Sequence, residues 1–350
     1  MPALRFFRST LVTLSSLAFL ASVMLLVSSA PMEPAAMEPA IPEPSPGELS
    51  GLQETVDELV AYEPPVGTLE APLPALPLVP FSAGEPSAER PAARSVLDEN
   101  QILAFYGKPG ASSMGILGEY TKEELAPFLL GYAQLYDDAN GGMGVVPAFY
   151  IIYGTCWPDG EIGLLRKSVV EEYVQFAAEH GWLVFLDHQI GKYDVEHALS
   201  SMLPFLHHTN VHLALDPEWR TLKPMQELGY VTGDELNLAQ ALMEAYLAEH
   251  ELPGNRMLVV HQFTNSMIRQ REAVETGFER VTLVHTADGF GSPALKRYAY
   301  GQNAKASNIP VKGFKLFFEA RLPGAGWDKP LMLPDEVMAL DPLPLVIMYQ

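Results

Sequence analysis

Cysteine is nearly absent: the 350-residue chain has one, Cys156. A lone thiol excludes an intrachain disulfide, a CxxC zinc site and a thiolate-held iron–sulfur cluster. It also lies too far from the N-terminus to accept a lipid. Bases are scarce as well, 22 Lys and Arg against 43 Asp and Glu, for a net charge of −21. Such a surface repels phosphate backbones, which argues against nucleic acid as a partner. The longest apolar run, Leu11 to Val27, falls short of the ~20 residues of a comfortable membrane span. No GxGxxG follows an early strand, Ser112-Ser113 lacks a GxSxG elbow, and no HxH or HExxH occurs. What is not scarce is apolar residues, 48% of the chain, which excludes a wholly disordered protein.

Three segments differ in their physics. Residues 1–30 carry Arg5 and Arg8 and no acid, then the apolar run, then Ser28-Ser29-Ala30. That order predicts an export signal, cleaved or retained as an N-terminal anchor, and hence an extracellular or envelope-associated protein. Residues 31–95 hold 14 of the 30 prolines and 11 acids against 2 bases. Proline favours polyproline II and the acids repel one another, so this stretch reads as a disordered Pro/Glu-rich spacer. Leu49, Leu52, Val56, Leu59 and Val60 allow a short, weakly ordered helix within it. Residues 96–350 form the remaining domain.

In that domain eight short apolar runs alternate with helical or loop segments: 102–107, 146–154, 182–187, 211–216, 257–263, 281–288, 314–319 and 343–350. Each is too continuous for a strand buried on one side only, and suits a parallel sheet covered on both faces. Helices are expected over 168–182, with Gly181 as its stop, and over 233–254, with Asp234 as a possible cap. Helical segments are also expected after the third and fifth runs, at 194–208 and 266–278. Eight strand–helix units in about 255 residues predict an α/β fold, a closed (β/α)8 TIM-type barrel. An open doubly wound sheet is the alternative.

A barrel places its chemistry at the C-terminal ends of its strands. Those ends are polar: Asp187-His188-Gln189 after the third run, Asp216-Pro217-Glu218-Trp219 after the fourth, His261-Gln262 after the fifth, Asp288-Gly289 after the sixth and Glu319 after the seventh. Tyr106 and Tyr349-Gln350 complete the ring. A buried carboxylate without a partner is costly, so five such ends point to a polar pocket. Glycoside hydrolysis needs two carboxyl groups, one protonated and one ionised. Runs four and seven lie across the ring, which makes Glu218 the candidate general acid and Glu319 the candidate nucleophile or base. Asp187, Asp216, His261 and Asp288 would bind hydroxyls or tune the acid. Trp157, Trp219 and Trp327 follow runs two, four and seven and offer flat faces to sugar rings; Trp182 opens a strand and belongs in the core. His188, His261 and His285 with the aspartates leave a metal-dependent hydrolase open, although the spacing specifies no metal site. No cofactor is implied. A non-catalytic barrel binding a glycan or peptide is the other alternative.

Through LDHQIG, LALDPEW, GDELN, VVHQF, DGFG, GFKLFFE and PLPLVIMYQ, residues 100–350 resemble a group of exported bacterial barrel-like proteins, some of them lipoproteins. The resemblance implies export and a barrel. Asp-Pro-Glu on the fourth run and Glu on the seventh are loosely similar to barrel glycoside hydrolases. The reading is an exported barrel acting on an envelope or extracellular carbohydrate, with the membrane involved only through the N-terminal segment.

Overall fold

The computed structural model describes residues 95–319 and 325–350. The expected signal segment and nearly all of the expected spacer lie outside the described residues. Eight parallel strands form the barrel: β1 (Asn100–Gly107), β2 (Gly144–Cys156), β4 (Leu183–His188), β5 (Val211–Leu215), β7 (Arg256–Gln262), β9 (Val281–Ala287), β10 (Lys312–Leu316) and β11 (Val346–Tyr349). The ring closes because β1 pairs in parallel with both β2 and β11, with Ile102 opposite Val146 on one side and Val346 on the other. The open doubly wound alternative is therefore excluded. Three short strands are additions. β3 (Ile162–Leu164) runs antiparallel to the end of β2, while β6 (Val231–Thr232) and β8 (Ile268–Arg269) pair beside the rim.

Strand alternation sorts the side chains into two layers. Ile102, Ala104, Ala148, Phe185, Ala214, Met257, Val259, Val284, Val346 and Met348 fill the inside of the ring. Leu103, Phe105, Phe149, Ile151, Val184, Leu186, Leu213, Leu258, Leu283 and Ile347 belong to the outer layer, under the helices. Those helices are α1 (Ile116–Glu119), α2 (Lys122–Ala139), α3 (Lys167–Glu179), α4 (Val195–Met202), α5 (Gly233–Glu249), α6 (Pro293–Ala304) and α7 (Pro334–Met338). In α5, Leu236, Ala239, Met243 and Leu247 recur at helical spacing and are buried. Trp182 packs against Phe149 and Phe176, as its place at a strand start predicts. No helix among the described residues is long and apolar enough to cross a membrane.

Four local expectations are corrected. Residues 266–278 form no α-helix; short 3-10 turns flank β8, and Gln270 adopts φ +51°. Met267, Val274 and Phe278 do keep helical spacing, but the left-handed turn at Gln270 breaks the segment between the first of them and the other two. α5 is capped by Thr232, whose side chain accepts from the Glu235 N–H, so Asp234 lies in the first turn. β10 ends at Leu316, before Glu319, and the Phe317 N–H donates to Asp328 Oδ2 at 3.0 Å. Tyr349 faces outward, its hydroxyl 2.8 Å from that of Tyr136, so it does not line the ring's interior.

Candidate active site

The inward positions nearest the C-terminal ends of the strands carry polar groups in place of the aliphatic ones below. Tyr106 ends the inner row of β1, Asp187 that of β4, His261 that of β7 and Lys315 that of β10. Asp216 and Asp288 follow the last residues of β5 and β9. The structure thus gathers four of the predicted residues, Asp187, Asp216, His261 and Asp288, all nearly excluded from solvent.

Hydrogen bonds knit them together. The Tyr106 hydroxyl donates to Asp187 Oδ2 at 2.8 Å. His261 Nδ1 lies 3.0 Å from Asp288 Oδ2, and its Nε2 lies 2.8 Å from the Tyr150 hydroxyl and 3.7 Å from Asp187 Oδ2. Lys315 Nζ donates to Asp288 Oδ2 at 3.2 Å and sits 3.8 Å from the centre of the Tyr106 ring. Asp288 Oδ1 also accepts from the Gly289 N–H at 2.7 Å. Asp187 Oδ1 alone among these oxygens is buried with no hydrogen-bond partner among the described residues. An unmatched buried acceptor of this kind costs about 1–3 kcal/mol.

Burial and charge set the protonation pattern. Burial is the largest single influence on Asp288 and pushes its carboxyl up, but Lys315 and His261 together hold it well below the usual range. On His261 burial likewise opposes the charge, and Asp187 and Asp288 more than reverse it, so its imidazole is raised. Burial raises Asp187, against the pull of His261. Burial, reinforced by Asp187 and Asp288, pushes Asp216 up to about 7. Glu218 is raised well above the carboxylate range, by burial and then by the charges of Asp216 and Asp288. The mouth therefore sets the Asp288 carboxylate against Lys315 and His261, and beside it a Glu218 carboxyl raised well above the usual range.

Glu218 sits on a one-turn 3-10 helix, Pro217–Trp219, directly after β5. Asp216 caps that turn, its Oδ1 accepting from the Glu218 N–H at 3.2 Å, and the Asp216 N–H donates to the His188 carbonyl of the neighbouring strand. Glu218 and Trp219 are half-buried, as are Trp157 and Trp327. Trp157 is approached by Lys108 and Trp327 by Lys329. Glu319 is exposed, three residues beyond the end of β10, and the hydrogen bonds of the mouth residues do not include it. His188 lies to the side: its Nδ1 accepts from the Ile190 N–H, and its ring fills the space a side chain at Gly154 would need, 2.5 Å from that Cβ position. His285 points to the outer face, toward Gln262 and Lys312. Among the described residues no group of three or more His, Cys, Asp or Glu is placed to hold a metal ion.

Lys315 and Tyr150 are the mouth residues that sequence reasoning missed. Both were marked by parity: Lys315 interrupts an apolar strand at an inward position, opposite Met348, and Tyr150 stands opposite the inward Tyr106.

No protein-family model matches the chain, and no curated protein sequence matches it. The chain is loosely similar to solved glycoside hydrolases. One is a GH18 chitinase of Flavobacterium johnsoniae, at TM-score 0.38 and 8% identity, over 72% of this chain and 87% of that one. A second is a chitinase from Chromobacterium violaceum, at TM-score 0.35 and 10% identity, over 61% and 68%. A third is GH26C from a Muricauda species, at TM-score 0.40 and 13% identity, over 73% and 80%.

Proposed function

We propose that the barrel mouth is a glycoside-hydrolase site in which Glu218 is the general acid. One observation carries this reading: Glu218 sits on the turn that Asp216 caps, and burial with the charges of Asp216 and Asp288 raises its carboxyl well above the usual range. A carboxylic acid still protonated at neutral pH is what cleavage of a glycosidic bond requires. Glu218 gives its proton to the leaving oxygen as the bond to the anomeric carbon breaks. As a carboxylate it then recovers a proton from the incoming water. The negative charge of Asp288 and, when ionised, of Asp187 and Asp216 stabilises the positive charge that develops on the sugar. The unpartnered Asp187 Oδ1 is an acceptor ready for a sugar hydroxyl. Trp157, Trp219 and Trp327, half-exposed on the loops around the mouth, supply faces for sugar rings.

Asp216 is the second carboxyl group this arrangement supports best, because it touches the turn that carries Glu218. The exposure of Glu319 supports a peripheral place for that residue. The substrate we propose is an extracellular or envelope carbohydrate; the basic, apolar and small-residue order of residues 1–30 supports export. The test is a hydrolysis screen of the full chain against a panel of polysaccharides and oligosaccharides, repeated with Glu218→Gln and Glu319→Gln. Hydrolysis that survives Glu218→Gln at the wild-type rate overturns the assignment. Binding of a glycan without turnover by the wild type favours a glycan-binding barrel.

A further inference from the structure

Beside the mouth, on the rim between the loops that follow β4 and β5, lies an open cleft of about 210 Å³. Tyr193, Arg220, Thr221, Leu222 and Tyr230 form most of its wall. It begins two residues after Glu218 in the chain, and the Gly229 N–H donates back to the Glu218 carbonyl at 2.7 Å. One wall of the cleft and the candidate acid therefore share the loop after β5.

The cleft is built rather than incidental. Arg220 ties its sides together: Nε donates to the Tyr193 carbonyl, Nη1 to the Tyr230 carbonyl and to Glu235, and Nη2 pairs with Glu235 at 2.6 Å. The Arg269 guanidinium lies 3.3 Å from the centre of the Tyr230 ring, and the His197 ring stacks on Tyr193 at 4.2 Å. Each tyrosine is thus braced on one face. The chain enters the cleft through a strained turn: buried Ile190 adopts φ +58°, and the Gly191 N–H bonds the Gln189 carbonyl two residues back at 2.6 Å. A β-branched residue in the left-handed region is costly and is kept only where the surroundings impose it. Gly191, at φ +67°, has no room for a side chain, since a Cβ would lie 2.3 Å from the Gly160 carbonyl oxygen. Leu222 stands 71% exposed at the edge, an apolar side chain with little to cover it.

From this we infer that the cleft is a subsite for one uncharged pyranose ring of a glycan chain whose scissile bond lies at Glu218. The inference rests on the glycan reading of the mouth and adds where the chain continues and what it meets there. The size fits: self-standing ligand pockets run from about 300 Å³ upward, so this cleft suits one ring and not a whole ligand. The chemistry fits too. Tyrosine rings and Leu222 offer apolar area to a sugar face, and Thr221 offers a hydroxyl. Arg220 is neutralised by Glu235, and Lys192 at the cleft edge by Glu161, which leaves little attraction for an anionic sugar.

The test is calorimetric titration of the full-length Glu218→Gln protein with cello-, chito- and manno-oligosaccharide ladders of two to six units. For one ladder, affinity should step up about tenfold at a single added unit, the gain expected of one stacked ring. Adding Tyr230→Ala, or Leu222→Glu at a site too exposed to matter for folding, should remove that step. A ladder with no step, or a step that survives both variants, overturns the subsite and leaves the mouth reading standing. If no ladder binds, while the polysaccharide screen finds hydrolysis, the cleft is not a subsite. If neither binding nor hydrolysis is found, both readings fall.

Discussion

Strands β9 and β10, with Asp288 just after β9, bury titratable side chains on both faces of the sheet, and the two faces handle them differently. On the inner face, Lys315 meets the Asp288 carboxylate, and Asp288 in turn meets His261. On the outer face, three residues earlier on each strand, Lys312 and His285 meet each other and no acid. Lys312 Nζ donates to the carbonyls of Asn303 and Ala306 at the end of α6, and His285 Nε2 lies 2.5 Å from Gln262 Oε1. Burial, with Arg271 nearby, brings Lys312 down to about 8, and burial keeps His285 neutral. The histidines are shifted in opposite directions by this one difference: His261 has carboxylates and His285 has none. Burial of polar groups is therefore common to both faces, and only opposed charges distinguish a candidate site from a helix-capping network. The outer network adds side-chain bonds to carbonyls that the Ala306 and Ile309 N–H groups already engage; the inner one holds charge in reserve beside Glu218.

Substitutions can break this comparison. The largest effect is expected from Glu218→Gln, which removes the transferable proton with little change in shape. Turnover of any glycan the wild type hydrolyses should fall by about 10²–10⁴-fold, read from steady-state kinetics, with the melting temperature nearly unchanged. Next is Lys315→Met. It leaves Asp288 with one cation in place of two, and breaking a buried pair costs about 3–5 kcal/mol, measurable by denaturant unfolding. Lys312→Met on the outer face should cost less, because the Asn303 and Ala306 carbonyls keep their backbone N–H donors, and should leave hydrolysis at the wild-type level. Equal losses of activity in the two lysine variants would erase the distinction between the faces.

Asp216→Asn removes the proposed second carboxyl group, so turnover should fall as well, and the activity that remains should have a changed pH profile. Removing a like charge beside Glu218 lets it ionise more easily, so the alkaline limb of kcat/KM should move to lower pH by about one unit. The same variant tests a stability effect. Asp216 is raised to about 7 in the folded protein, against about 3.9 in an unfolded chain, so the folded state binds the extra proton between those values. Wild-type stability should therefore decline as pH rises from about 4 to about 7, and Asp216→Asn should flatten part of that decline. The smallest effect is expected from Glu319→Gln: an exposed side chain off the strand should change turnover by less than about twofold. A loss comparable to that of Glu218→Gln would return Glu319 to the centre of the site.

Most of the barrel was legible because its strands are buried on both faces and read as unbroken apolar runs, which polar loops do not imitate. The fifth crossover was not. Residues 266–278 place Met267, Val274 and Phe278 at helical spacing, but Gln270 turns the chain where only tertiary packing shows it. The aspartates and His261 were legible as polar ends on apolar strands. Lys315 was hidden because a lysine inside an apolar run reads as a solvated interruption until strand parity shows that it points inward. Glu319 misled for a related reason: the run FKLFFE looks continuous, but Asp328, nine residues further along the chain, captures the Phe317 N–H just after the strand ends.

The pairing of β1 with β11 joins residues about 245 apart in the chain, Ile102 to Val346. During synthesis, therefore, β1 is made early but can have only β2 beside it until the last strand leaves the ribosome. Through that interval the growing sheet carries two open parallel edges, the template for pairing with other chains. The barrel closes only after synthesis has passed Tyr349, so the dangerous period in the life of this fold is its manufacture. A cell making it would have to keep its copies apart, or keep them bound, until the ring is shut.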